Sequence, residues 1–165
     1  MNKLIATLLV GLCVLMSSYV ICKHYCPQIF YTAVTEEMAT DLIDAHNKIR
    51  NSRGLSSVHY NEKLSLAAQH HAEYMASTNR LSHYGRGLSR PSDRVTKEGY
   101  LYWGVAENIA FGQQTIEEVM TDWMNSEGHR RNLLGDYQDV GVAIVANNRG
   151  QLYWCVVFGK PEVRQ

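Results

Sequence analysis

The chain of 165 residues carries no net formal charge, 16 Lys+Arg being matched by 16 Asp+Glu, and it has no basic run longer than the pair Arg130-Arg131. A nucleic-acid partner would call for a basic patch or stripe, so nothing in the charge points to one. Proline is scarce, at three residues, and charged residues make up only 19%. Disordered or fibrous chains show a different balance. Two catalytic signatures are also missing: the H-E-x-x-H spacing of a helical zinc site and the G-x-S-x-G elbow of a serine hydrolase. What is present is an apolar share of 45% and ten tyrosines, enough to close one core of ordinary size and to line half-wet surfaces.

Residues 4–22, LIATLLVGLCVLMSSYVIC, hold no charge and follow Lys3. This pattern predicts an export signal over residues 1–22, either a cleaved signal peptide or a retained signal anchor. Nineteen helical residues span roughly 28 Å, just enough to cross a hydrocarbon core, while Ser17, Ser18 and Tyr19 dilute the far end and favour cleavage. The protein is therefore expected outside the cytoplasm: secreted, or attached to a membrane only through an uncleaved N-terminal segment. Residues 23–35 read as a linker and 36–161 as the folded domain. Cleavage would remove Cys13, leaving Cys26 and Cys155 as candidates for one disulfide in an oxidising compartment. A buried free thiol at Cys155, within the apolar string YWCVVF, is the equal alternative. No neighbouring charge would activate that thiol as a nucleophile.

Apolar periodicity orders the rest. A helix is expected over 35–53, capped by Thr35, with Met38, Leu42, Ala45 and Ile49 inward and Gly54 as its stop. After the short extended piece SVHY (57–60), Asn61 caps a second helix running to about Asn79, with Leu64, Ala67, Ala68, His71 and Met75 on its stripe. Residues 81–104 lack periodicity and read as a long loop, a feature usually kept for a task. Thr115 and Glu118 form a capping box that opens a third helix, and His129 begins a short turn, HRRNLL. Segments 140–146 and 151–158 are apolar at nearly every position and read as a β-hairpin covered on both faces. Together these elements predict an α/β fold, a three-layer α/β/α sandwich.

Six strings in this order carry a family resemblance: HNKIR (46–50), SHYG (82–85), GVAENIAFG (104–112), WMNSEGHRRNLL (123–134), VGVAI (140–144) and YWCVVFG (153–159). Over residues 38–160 the chain resembles the CAP superfamily, or sperm-coating-protein (SCP) domain, in its compact bacterial form. The resemblance implies a CAP-type sandwich with a mostly antiparallel central sheet, extracellular action, and a central cleft lined by two histidines and two acids. Some members hold a divalent metal on the histidine pair. His83 and His129 match the histidines and Glu107 the first acid. The second acid has no clear match, since Ser126 stands where many relatives carry it and Glu127 follows one residue later, about 100° further round a helix.

Two readings of these residues stay open. Two imidazoles and a carboxylate are ligands that zinc accepts, leaving a position for water; alternatively His83, Glu107 and His129 form a polar cluster that stitches loop to helix. His71 reads as a satisfied core histidine, His46 as a brace for the sheet, and Asn108 as a backbone anchor. Three functions follow. The preferred one is a binding module for an extracellular small molecule, lipid, peptide or glycan. The others are a metal-dependent hydrolase with Glu107 as general base, and a structural component of an envelope or spore coat.

Overall fold

The computed structural model describes the backbone of residues 27–162, with side chains from residue 37 onward. The export segment 1–22 and Cys26 lie outside the described residues. Among the described residues no helix is long and apolar enough to cross a membrane. The chain divides into two compact units at Glu37–Met38, the second being Met38–Gln165.

Helix α1 (Pro27–Asn51) starts ahead of the Thr35 cap expected from sequence. Leu42 is fully buried, with Met38, Ala45 and Ile49 packed beside it, and Gly54 takes a left-handed φ of 73° just after the helix. The polar residues of HNKIR act as braces. Asn47 exchanges two hydrogen bonds with the backbone of Val58. Arg50 donates to the carbonyls of Ser56, Leu133 and Gly135, and buried His46 packs against Trp123 and Phe158. Strand β1 is only His59–Tyr60. Asn61 then caps α2 (Glu62–Thr78), accepting from Lys63 N and Leu64 N, and Asn79 closes it in the left-handed region.

The expected long loop at 81–104 holds structure of its own. A 3-10 turn (Arg86–Leu88) leads to α3 (Pro91–Lys97), and strand β2 already begins at Tyr102, running to Phe111. Pro91 opens α3, where its fixed φ and missing N–H cost nothing, and Asp93 accepts from Arg90 N at 2.8 Å. Helix α4 (Ile116–Asn125) has the Thr115–Glu118 capping box. The turn expected at His129 is a true helix, α5 (Glu127–Leu133). Strands β3 (Asp139–Ala146) and β4 (Leu152–Pro161) form the expected hairpin.

The sheet order is β1-β3-β4-β2; among the described strands β1 and β3 pair in parallel and the other pairs are antiparallel. Alternation along the strands builds one core on each face. Ile109, Ala143, Tyr153, Cys155 and Val157 pack against α2 and α3. Ala110, Val142, Ile144, Trp154, Val156 and Phe158 pack against α1, α4 and α5. The result is the three-layer α/β/α sandwich with a mostly antiparallel sheet. Strand β2 lies at the sheet's edge, so elements from both outer layers can meet there.

Candidate functional site

Glu107 sits on β2 in the same alternation as Ile109, facing α2, and its side chain is 1% exposed. A bare carboxylate so deeply buried would be costly, and four groups surround this one. His83 Nδ1 lies 2.8 Å from Oε1, and Arg94 Nη2 donates to Oε2 at 2.5 Å. His71 Nε2 is 3.8 Å from Oε1, and the Cys155 thiol is 3.6 Å from Oε2. Burial pushes the Glu107 carboxyl up, but the hydrogen bond with His83 and the charges of Arg94 and His71 outweigh it and hold the group below the usual carboxylate range.

The partners of Glu107 are themselves held in place. Arg94, on α3, also donates to the carbonyls of Ser89 and His83, at 2.8 and 3.2 Å. His71, on α2, donates from Nε2 to Ser82 O at 2.8 Å, which fixes the segment just before His83. Burial chiefly lowers the His71 pKa, against the opposing pull of the Glu107 charge. Cys155 is a free, fully buried thiol; burial and then the charge of Glu107 push its pKa well up, so it is no nucleophile. Its expected bridge partner, Cys26, lies outside the described residues.

On the opposite side of β2, Asn108 is fully buried and ties α5 to the strand. It donates to His129 O at 3.0 Å and accepts from Asn132 at 2.9 Å. This places His129 on the first turn of α5, half-buried, where burial and the nearby charge of His83 lower its pKa. The edge of β2 thus brings His83, Glu107 and His129 into one neighbourhood, the first two in direct contact. Glu127 does not join them. Its side chain is 80% exposed and pairs with Arg131 one turn along α5, because that step along the helix turns it outward. Ser126 serves as the junction between α4 and α5, its N–H donating to Asp122 O and its carbonyl accepting from Arg130 N.

Two members of the site escape a reading of the sequence. Arg94 lies in a stretch without periodicity, and only the short helix opened by Pro91 aims it at Glu107. His71 does leave a signal, as a polar residue on a buried stripe.

A carboxylate only accepts, so a proton of His83 sits on Nδ1 toward Glu107, and in the neutral ring Nε2 is the free acceptor, on a side chain 51% exposed. This is the orientation in which a carboxylate presents an imidazole to a metal or to a hydrogen-bond donor. His83 and His129 together form a pair of nitrogen donors. It falls short of the three protein ligands of a catalytic zinc site, and among the described residues no cluster of three or more His, Cys, Asp or Glu is placed to hold an ion.

The model of the cysteine-rich secretory protein family, CAP, matches residues 43–158. The chain belongs to the CAP family. This CAP domain is 36% identical over 120 residues to the uncharacterized protein YkwD of Bacillus subtilis, a match covering 72% of the chain and 46% of YkwD. The chain spans less than half the length of the relatives it matches by sequence. In structure it is similar to an outer surface protein of Borrelia burgdorferi, with a TM-score of 0.70 at 20% identity over 76% of this chain and 94% of that one. It is also similar to an extracellular SCP-domain protein of Bacillus anthracis, with a TM-score of 0.71 at 24% identity over 77% and 41%. At these identities the structural likeness speaks for the fold, and the CAP sandwich has the layers described above.

Proposed function

We propose that this CAP domain acts outside the cytoplasm as a binding module, with the ligand meeting His83 Nε2 and His129 at the edge of β2. Extracytoplasmic action is supported by the apolar segment 4–22 and by the extracellular or surface descriptions of its structural relatives. One observation carries the choice of binding over catalysis. Both oxygens of Glu107 are engaged and its side chain is buried, so it orients an imidazole and has no face from which to take a proton from water. Among the described residues, neither Cys155 nor Ser126 forms a nucleophile–base pair with the histidines. A divalent cation bound by His83 and His129 would polarise a ligand oxygen at this edge.

The test is retention of ligand from an extract of cell-envelope material by the wild-type protein, compared with His83→Ala and His129→Ala. Retention is expected to fall tenfold or more in each variant, with the captured molecule recovered chemically intact. Conversion of that molecule by wild type, abolished by chelator and by either substitution, would establish the metal-hydrolase reading instead.

A further inference from the structure

The segment joining α2 to α3 leaves its larger side chains in water. Leu81 is 50% exposed, Tyr84 54% and Leu88 78%, and Arg80, Arg86 and Arg90 beside them are exposed as well. The backbone beneath is held firmly. Ser82 O accepts from His71 Nε2, and Arg94 donates to the carbonyls of His83 and Ser89. Gly85 N donates to Ser89 O at 2.8 Å and Leu88 N to Gly85 O at 3.0 Å, which closes the turn. A fixed loop therefore presents apolar and cationic side chains together.

Leu88 is the telling case. Its φ of 62° lies in the left-handed region, which suits glycine and is strained for a residue with a Cβ. A buried leucine could offset that strain by packing, but this one is exposed and belongs to neither core. Neither the backbone nor the core calls for leucine at this position. Single exposed apolar residues are ordinary, whereas three gathered on one short loop mark a surface that meets an apolar partner.

Charge narrows the choice of partner. From Tyr74 to Ser92 the sequence has no acid, and Arg80, Arg86 and Arg90 enter no ion pair among the described residues. Glu73, Asp93 and Glu98 line the groove behind the loop together with Lys97. In a chain with no net charge, three unpaired guanidiniums on one loop are a local excess. A soluble polyanion would engage the arginines and leave the leucines in water. An apolar ligand would do the reverse. An anionic bilayer serves both, with phosphates for the arginines, the interface for Tyr84 and the acyl boundary for the leucines. Export through residues 4–22 would carry the domain past such a surface. We propose that the loop 80–90 docks this domain on an anionic lipid bilayer, Leu81, Tyr84 and Leu88 entering the interface and Arg80, Arg86 and Arg90 meeting lipid phosphates. The proposal does not depend on a ligand at the β2-edge site.

The test follows amide hydrogen exchange over residues 80–90 of the full chain on two kinds of vesicle, pure phosphatidylcholine and phosphatidylcholine with about 30% phosphatidylglycerol. Segment 4–22 can hold the chain to either, so the readout is the loop itself, each protein being compared with its own vesicle-free state. Exchange is expected to slow tenfold or more on the anionic vesicles at about 0.1 M salt, to be unaffected on the neutral ones, and to recover at about 0.5 M salt. Changing Arg80, Arg86 and Arg90 together to Gln should abolish the protection. Leu88→Gly should reduce it threefold or more with a Tm no lower than wild type, because glycine relieves the strained φ; it decides the matter if the triple variant does not fold. Leu88→Gly should also leave ligand retention through His83 and His129 unchanged, so the two sites stand or fall separately. Three results would each overturn the proposal: equal protection on both vesicles, protection indifferent to Leu88→Gly, or protection by dextran sulfate as strong as that by the anionic vesicles.

Discussion

Glu107 shows how one buried charge can set the state of an exposed one. Its carboxylate accepts from Arg94 on one oxygen and from His83 Nδ1 on the other. Taking away one partner of a buried ion pair leaves the other uncompensated and costs about 3–5 kcal/mol, so Glu107→Ala should lower the denaturation midpoint by that equivalent. Glu107→Gln tests orientation more finely. Arg94 has only donors, so the amide oxygen must face it and the amide NH2 must face His83. His83 Nδ1 then becomes the acceptor and its proton moves to Nε2. Imidazole ¹⁵N spectra should show Nδ1–H in wild type and Nε2–H in Glu107→Gln; an unchanged tautomer would count against Glu107 as the orienting group.

At the level of elements, α2 and β3 approach so closely that only glycine fits between them. A Cβ on Gly141 would lie 2.1 Å from both Leu64 C and Ser65 N, and Ser65 Oγ accepts from Val142 N at 3.2 Å. Neither backbone can give way without losing the layer, so Gly141→Ala should cost more than the about 1–3 kcal/mol typical of an overpacked core. Thermal melting should show a Tm lowered by well over about 10 °C, or a protein that no longer folds. The string VGVAI announces a strand, but nothing in it says that a helix start rests on that particular glycine. The same limit explains what else is hidden. Helices α1, α2 and α4 and the final hairpin are legible from apolar spacing and caps, because each buries a regular face. Strand β2 is masked by Gly104, Glu107 and Asn108, the residues that give it a role at the sheet edge. Helix α3 has seven residues, too few for a period to emerge. Of the candidate site, His83, Glu107 and His129 are found by resemblance, while Arg94 reaches them only through the tertiary fold.

Across the whole molecule, burial suppresses the charging of three histidines, two in one outer layer and one in the other. His46, between Trp123 and Phe158, has its pKa lowered to about 4, mainly by burial; His71 and His129 are lowered for the same first reason. A histidine that ionises less readily in the folded chain binds fewer protons than it does unfolded. Its contribution to stability is therefore complete above pH 6.5 and is lost as pH falls from there toward the folded pKa. For His46 the shift from 6.5 to about 4 corresponds to about 3 kcal/mol by pH 4. Glu107 acts lower on the scale: its depressed pKa stabilises the fold above the unfolded value of about 4.5, and that contribution disappears as pH falls through the folded value. Stability should thus be level above about pH 7, decline between about pH 6.5 and 4, and drop further in stronger acid. His46→Phe keeps a ring between Trp123 and Phe158 but has nothing to protonate. It forfeits the hydrogen bond to Leu42 O, about 1 kcal/mol at pH 7, and should be less sensitive to acid. Denaturant melts at about pH 7, 5.5 and 4.5 would show the two proteins converging, with the variant overtaking wild type before about pH 4. Curves that stay parallel across that window would mean His46 is not the group that makes the core acid-sensitive.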